Sequence, residues 1–213
     1  MYRLGKAAYG LRYWPEAVKY FEDLLKEDPD SSGYLNELAK SKARLLESQT
    51  GEYDRMELYR AEKNRVHCDM ADYTGSIEVV DIPGKGKGMV VIKDVKKGTL
   101  LLATKAYAMD LYDDNRVKFY DMLMEELRKN PQTWNEFYAL YAGDSDRYCV
   151  EGKNALKRLY NIARFNANGC PGKNSRLPNG QVLNYPPCIG LWILTSFTNH
   201  SCIRKFFSYK RNF

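Results

Sequence analysis

Two short runs in this chain hold residues whose types and spacing could bind a charged ligand. The first is Gly84-Lys85-Gly86-Lys87-Gly88, just after the β-branched run Ile77-Glu78-Val79-Val80-Asp81-Ile82. Glycine has no Cβ, so the backbone there can approach a ligand closely and offer it N–H and C=O groups. The second is Asn199-His200-Ser201-Cys202, near the far end of the chain after the apolar stretch Leu191 to Phe197. Asparagine offers donor and acceptor together, which suits a ligand carrying both charges. Each run also has a plainer reading. Alternate glycines after a strand make a β-hairpin bulge, and Asn with Ser can bond its own backbone in a capped turn. The glycine spacing is not the dinucleotide-binding pattern, and the next segment reads as β rather than helix, which argues against a dinucleotide site.

The elements that must position these runs follow from periodicity. Residues 1 to about 65 read as helical, with Leu4, Ala8, Leu11, Ala17, Tyr20, Phe21, Leu24 and Leu25 at helical spacing. Tyr13-Trp14-Pro15 breaks the first helix from the second, with Pro15 suited to a first turn. Asp28-Pro29-Asp30 ends the second, and Ser31 or Ser32 can cap a third running to about Ser48. Gly51 to Asp54 reads as the next turn, and Arg55 to Arg65 as a further helix.

From Ile77 the period changes to β. Strands are expected at Ile77–Ile82, Met89–Ile92 and Thr99–Thr104, with Tyr107–Leu111 extending the last. Residues 115 to 165 return to helical spacing. Val117, Tyr120, Leu123, Met124 and Leu127 form one expected face, and Leu156, Leu159, Tyr160, Ile162 and Ala163 another. Residues 167 to 188, rich in Gly, Pro and Asn, read as a long loop. Ile189 to Thr198 is the last apolar run.

The first helical pair resembles a tetratricopeptide repeat, on Leu4-Gly5, Ala8, Ala17, Phe21 and Pro29. The later part resembles a SET domain, the fold of most protein-lysine methyltransferases. The resemblance rests on the order strand, glycine turn, strand, helical insert, Phe165-Asn166, Gly190-Leu191-Trp192 and Asn199-His200-Ser201-Cys202. It looks closest to fungal proteins that join tetratricopeptide repeats to a SET domain, without the Cys-rich zinc module of SMYD-type relatives. It implies an α+β chain. A helical repeat-like region would occupy 1–65, and a partial SET domain 75–203 with its helical insert at about 112–165. An atypical tail would occupy 204–213.

The same resemblance implies S-adenosylmethionine as cofactor, with Gly86, Lys87, Gly88, Asn166, Asn199 and His200 as the binding residues. In the family, the chain past the cysteine carries Pro-Asn, a further strand and a catalytic tyrosine. Ile203 to Phe213 does not match that pattern, and Tyr209 stands too close to Cys202 to replace the tyrosine. The expectation is therefore a methyltransferase relative with no catalytic residue in 1–213. The alternative is a non-catalytic repeat-plus-SET scaffold that binds protein partners through its helices.

Composition narrows the class. With 44% hydrophobic and 28% charged residues and a net charge of +6, the chain has an ordinary globular balance. Its basic residues accompany no recognisable nucleic-acid module. No stretch approaches the roughly 20 apolar residues of a membrane span. The five cysteines are odd in number and widely spaced, and no CxxC pair suggests a zinc site. Reduced thiols in nucleus or cytoplasm are expected. In the family Cys202 joins later cysteines in a zinc site. None follows here, so a buried thiol is expected instead.

Overall fold

The computed structural model describes residues 1–54, 56–58, 60, 69–111, 116–143, 153–170, 173–176, 182–185 and 187–199. It is α+β, with helices and small antiparallel sheets. Among the described residues, no helix is long and apolar enough to cross a membrane. Contacts gather these residues into two compact units. One holds 1–77 and 91–104, the other 78–90 and 105–199.

In the first unit, α1 (Tyr2–Gly10), α2 (Trp14–Glu27) and α3 (Ser32–Thr50) pack in sequence. The α1–α2 contact depends on small residues. Ala17 and Phe21 are fully buried, and a methyl group on Gly5 would stand 2.8 Å from Phe21 Cζ. Gly5 thus admits the Phe21 ring, and Gly5→Ala should cost about 1–3 kcal/mol through overpacking. A urea melt of the variant against the parent measures it. The chain reverses at Arg12, whose φ of 62° is left-handed, while Tyr13 N–H donates to the Ala8 carbonyl at 2.9 Å. Pro15 stands in the first turn of α2, and Gly51 closes α3 in the left-handed region. Leu4 and Leu11, expected inside, are exposed; Gly5 and Ala8 are the residues α1 buries. Close helix approach selects the small face over the large one.

A buried polar network ties α3 to the segment that follows. Arg44 and Glu47 form an ion pair at 2.6 Å, their side chains 5% and 6% exposed. Glu47 also accepts from the Ala71 N–H at 2.8 Å, and the Tyr53 hydroxyl donates to the Ala71 carbonyl at 2.9 Å. Glu57 and Asp69 stand 3.6 and 3.9 Å from Arg44, and Tyr9 donates to Asp69. Burial pushes the Glu47 carboxyl above its ordinary value, with Ala71 N–H and Arg44 pulling it back. Beyond this network β1 (Tyr73–Thr74) pairs antiparallel with β4 (Leu102–Ala103).

β2 (Ile77–Ile82) and β3 (Gly86–Val91) form a hairpin whose body lies in the second unit. The expected third strand is reduced to the two residues of β4. Thr99, Leu100 and Leu101 lie outside it, the first two exposed. Tyr107–Leu111 does not extend it. Instead β5 (Ala108–Leu111) pairs with a distant strand.

The second unit's core lies under α4 (Val117–Lys129), a 3-10 turn (Pro131–Thr133), α5 (Trp134–Tyr138) and α6 (Lys153–Asn166). On α4 the buried face is Phe119, Leu123 and Leu127, while Val117 is exposed. On α6, Leu159, Ile162 and Ala163 are buried, whereas Leu156 and Tyr160 are exposed. The expected long loop over 167–188 carries strands: β6 (Asn168–Cys170), β7 (Lys173–Arg176), β8 (Val182–Tyr185) and the start of β9 (Cys188–Leu191). Its Gly, Pro and Asn residues masked them, because the pairing is with neighbours rather than from intrinsic β-propensity. β9 is central in the order β5-β9-β6, so it is buried throughout, and β7 pairs with β8.

Candidate functional site

The site is built where the glycine turn meets the end of β9. At the turn, Lys85 N–H donates to the Ile82 carbonyl at 3.0 Å. Gly84 and Gly86 adopt φ of 74° and 72°, the left-handed region that a side chain disfavours. From β9 the chain passes through Trp192, 8% exposed, into the short helix α7 (Ile193–Ser196). Ser196 Oγ donates to the Trp192 carbonyl at 2.9 Å and Thr198 Oγ1 to the Thr195 carbonyl at 2.7 Å, which tightens this turn.

Two contacts join the halves. Met89 N–H, next to Gly88 on β3, donates to the Phe197 carbonyl at 2.9 Å. A methyl group on Gly88 would overlap Asn199 Nδ2 and Ile82 Cδ1. The Asn199 amide therefore occupies the space that the missing Cβ leaves open. Gly88 and Asn199, distant in sequence, are brought together.

The remaining expected residues divide. Gly86 starts β3 in its left-handed turn. The Lys87 ammonium is exposed and stands 3.3 Å from Asp81 Oδ1, on its own hairpin. Asn166 ends α6 with 9% exposure, and its Nδ2 donates to the Tyr141 and Ile162 carbonyls, each at 2.7 Å. Those donors hold the α6 terminus, so a ligand could use only the side-chain oxygen or main chain of Asn166. The Asn166 carbonyl accepts from Asn168 Nδ2 at 3.0 Å, and Ser196 Oγ of α7 stands 3.5 Å from it. His200, Ser201 and Cys202 lie outside the described residues, as do His67 and most of the helix expected over 55–65.

The participation of Met89, Phe197, Asn168 and Ser196 escaped the sequence reading. Met89 and Phe197 act through main-chain atoms, which no residue type advertises. The Ser196 hydroxyl does have a signal, four residues after Trp192 in a short helical turn, the i−4 back-bond that serine favours. Chemically, the arrangement sets the Asn199 carboxamide against the Gly88 backbone. Among the described residues no group of three or more His, Cys, Asp or Glu side chains could hold a metal. Burial raises the Tyr107 hydroxyl, which bonds Thr133 Oγ1 at 2.8 Å, so that phenol is anchored rather than poised as a base.

No protein-family model and no solved structure matches the chain. A protein of Gibberella zeae named "Methyltransferase" is 24% identical over 241 aligned residues. The alignment takes in 95% of this chain and 33% of that protein, so the chain spans about a third of the relative's length.

Proposed function

We propose that residues 1–213 carry the cofactor-binding half of a SET-type, S-adenosylmethionine-dependent protein-lysine methyltransferase. The observation behind this reading is the seat formed by Gly88 and Asn199, closed by the Met89–Phe197 hydrogen bond. The likeness to the Gibberella zeae protein favours methyl transfer as the class of chemistry. The cradle suits the methionine end of the cofactor. The Lys87–Gly88 main chain faces its charged groups, and the Asn199 amide supplies a donor and an acceptor together. By resemblance His200 main chain and Asn166 complete the set. When bound, S-adenosylmethionine would supply an electrophilic methyl group for a neutral lysine amine.

The polypeptide of residues 1–213 binds this cofactor without turning over lysine, because Ile203–Phe213 offers no residue assigned to position the amine. Calorimetric titration with S-adenosylmethionine should give a Kd on the order of 0.1–1 mM. Asn199→Ala should weaken it roughly tenfold. Absence of binding, or binding that Asn199→Ala leaves unchanged, overturns the cofactor reading. Transfer of radiolabelled methyl to protein by residues 1–213 overturns the inactivity.

A second reading is a non-catalytic intracellular scaffold that binds protein partners through tetratricopeptide-like helices. It is favoured by the exposed Leu4 on α1 and Leu11 just after it. Partner capture that survives Asn199→Ala but not Leu4→Glu would support it.

A further inference from the structure

Residues 69–72 belong to no helix or strand, and side chains hold them against α1 and α3. Asp69 accepts from the Tyr9 hydroxyl, and Asp72 Oδ2 stands 2.7 Å from Arg12 Nη1. Between them Ala71 is fully buried. Its main chain is bonded by side chains in both directions. The N–H donates to Glu47 at 2.8 Å, and the carbonyl accepts from the Tyr53 hydroxyl at 2.9 Å.

An extended peptide is held in a groove in this way. Main-chain hydrogen bonds give affinity, and a pocket for one side chain gives selectivity. Here the pocket takes a methyl group, and a donor on either flank takes a carboxylate. The hold is weak. Both aspartates are half-exposed, and ion pairs at such positions contribute little. Nor does the segment use all that the helices offer. Buried Arg44 has an Nε without a hydrogen-bond partner among the described residues, and its Nη1 is 3.9 Å from Asp69, beyond a hydrogen bond. Directly after the segment, Tyr73 pairs with Ala103, and a methyl group on Gly51 would stand 2.7 Å from the Tyr73 ring. A released segment therefore stays tethered beside its groove.

We infer that this face of α1 and α3 is a binding site for an extended acidic protein segment of the form Asp-x-Ala-Asp, which residues 69–72 occupy in cis as a removable latch. Bonds to one N–H and to the carbonyl of the same residue need a peptide backbone, which excludes a nucleic acid. The tethered segment competes at an effective concentration on the order of millimolar. An external segment thus meets only the open fraction of the chain, and its apparent affinity falls by that fraction. The inference is independent of the cofactor reading, since none of these residues belongs to the Gly88–Asn199 seat.

The test uses the whole 213-residue chain and a fluorescein-labelled peptide of its own residues 69–74, Asp-Met-Ala-Asp-Tyr-Thr, read by fluorescence anisotropy. The double variant Asp69→Asn, Asp72→Asn loosens the latch without touching the helices. It should bind the peptide at least roughly tenfold more tightly than the parent. Adding Arg12→Asn, which the left-handed backbone there accepts, should cancel the gain. A peptide with Leu in place of its Ala should bind neither protein, because the pocket is filled by a methyl group. Equal binding of the first peptide by parent and double variant, including no binding by either, overturns the inference, and so does equal binding of the Leu peptide. Should the double variant lose its helical signal, hydrogen exchange of the unaltered chain in low urea decides. Exchange of the Ala71 amide through a small opening, insensitive to urea, supports the latch. Exchange through the same urea-dependent opening as the α3 amides refutes it.

Discussion

Replacing Gly88 by alanine is expected to weaken S-adenosylmethionine binding by a factor of ten or more, about 1.4 kcal/mol or greater. The new methyl would overlap Asn199 Nδ2 and Ile82 Cδ1. Both are ends of side chains, so the fold can yield by turning them aside, and the stability cost should stay near ~1 kcal/mol. The site cannot yield in the same way. Turning Asn199 aside removes the carboxamide from the Lys87–Gly88 main chain, which is the juxtaposition proposed to hold the cofactor. Gly84→Ala is the informative comparison. Its φ of 74° makes it strained, but no atom lies within 4 Å of the added methyl. It should lower the melting temperature by a similar amount and leave cofactor affinity within about twofold. Equal losses of affinity in both variants would mean that hairpin strain, not the Asn199 contact, governs the site. Calorimetric titration and thermal melts of the two proteins separate these outcomes.

Glu47→Ala should lower the stability of the helical unit by about 3–5 kcal/mol, a large share of the roughly 5–15 kcal/mol typical of a domain. The substitution leaves the Arg44 cation, 5% exposed, without its partner at 2.6 Å, and leaves the Ala71 N–H without its acceptor. Glu57 and Asp69 stand close enough to soften the loss, which sets the expectation toward the lower end. Glu47→Gln keeps an acceptor and should cost less. The carboxyl also gives a pH signature. Its folded pKa is raised above the ordinary 4.5, so the stability its protonation contributes is complete below 4.5 and is lost as pH rises through the raised value. Glu47→Gln should remove that segment of the stability-versus-pH curve. Urea melts at several pH values measure both effects. A cost below about 1 kcal/mol for Glu47→Ala would show that water already serves Arg44.

What was legible in the sequence were the features that local pattern controls. Ile77–Ile82 is β-branched and bounded by Pro83, and it is a strand; Pro15 opens a helix and Gly51 closes one. The pairing of the glycine turn with Asn199 was expected only through the family resemblance, since nothing in the spacing of the two runs requires it. What stayed hidden is what distant partners decide. Val117 has the right period for the core, yet Phe119 takes the buried place, because α4 rotates to fit the neighbours it packs against. β6 reads as loop because Asn168 and Gly169 are poor strand formers, and only pairing with β9 makes it a strand. Arg44 and Glu47, an i,i+3 ion pair with both side chains buried, left no mark in the helical pattern. Asn166 entered through the family resemblance alone, and nothing in the sequence announced that its amide protons secure the end of α6.

The hydrogen bond from Met89 to Phe197 also carries a timing consequence. Its two ends are separated by more than half the chain, and the second end follows β9, the central strand of the order β5-β9-β6. At synthesis rates of about 5–20 residues per second, Gly88 is made roughly 5–20 s before Asn199 exists to face it. During that interval β2 and β3 can close as a local hairpin within microseconds, but the Ile82 side chain has no Asn199 beside it. The binding seat is therefore a late product of folding, and agents that delay release of the nascent chain should trap the hairpin formed and the seat unformed.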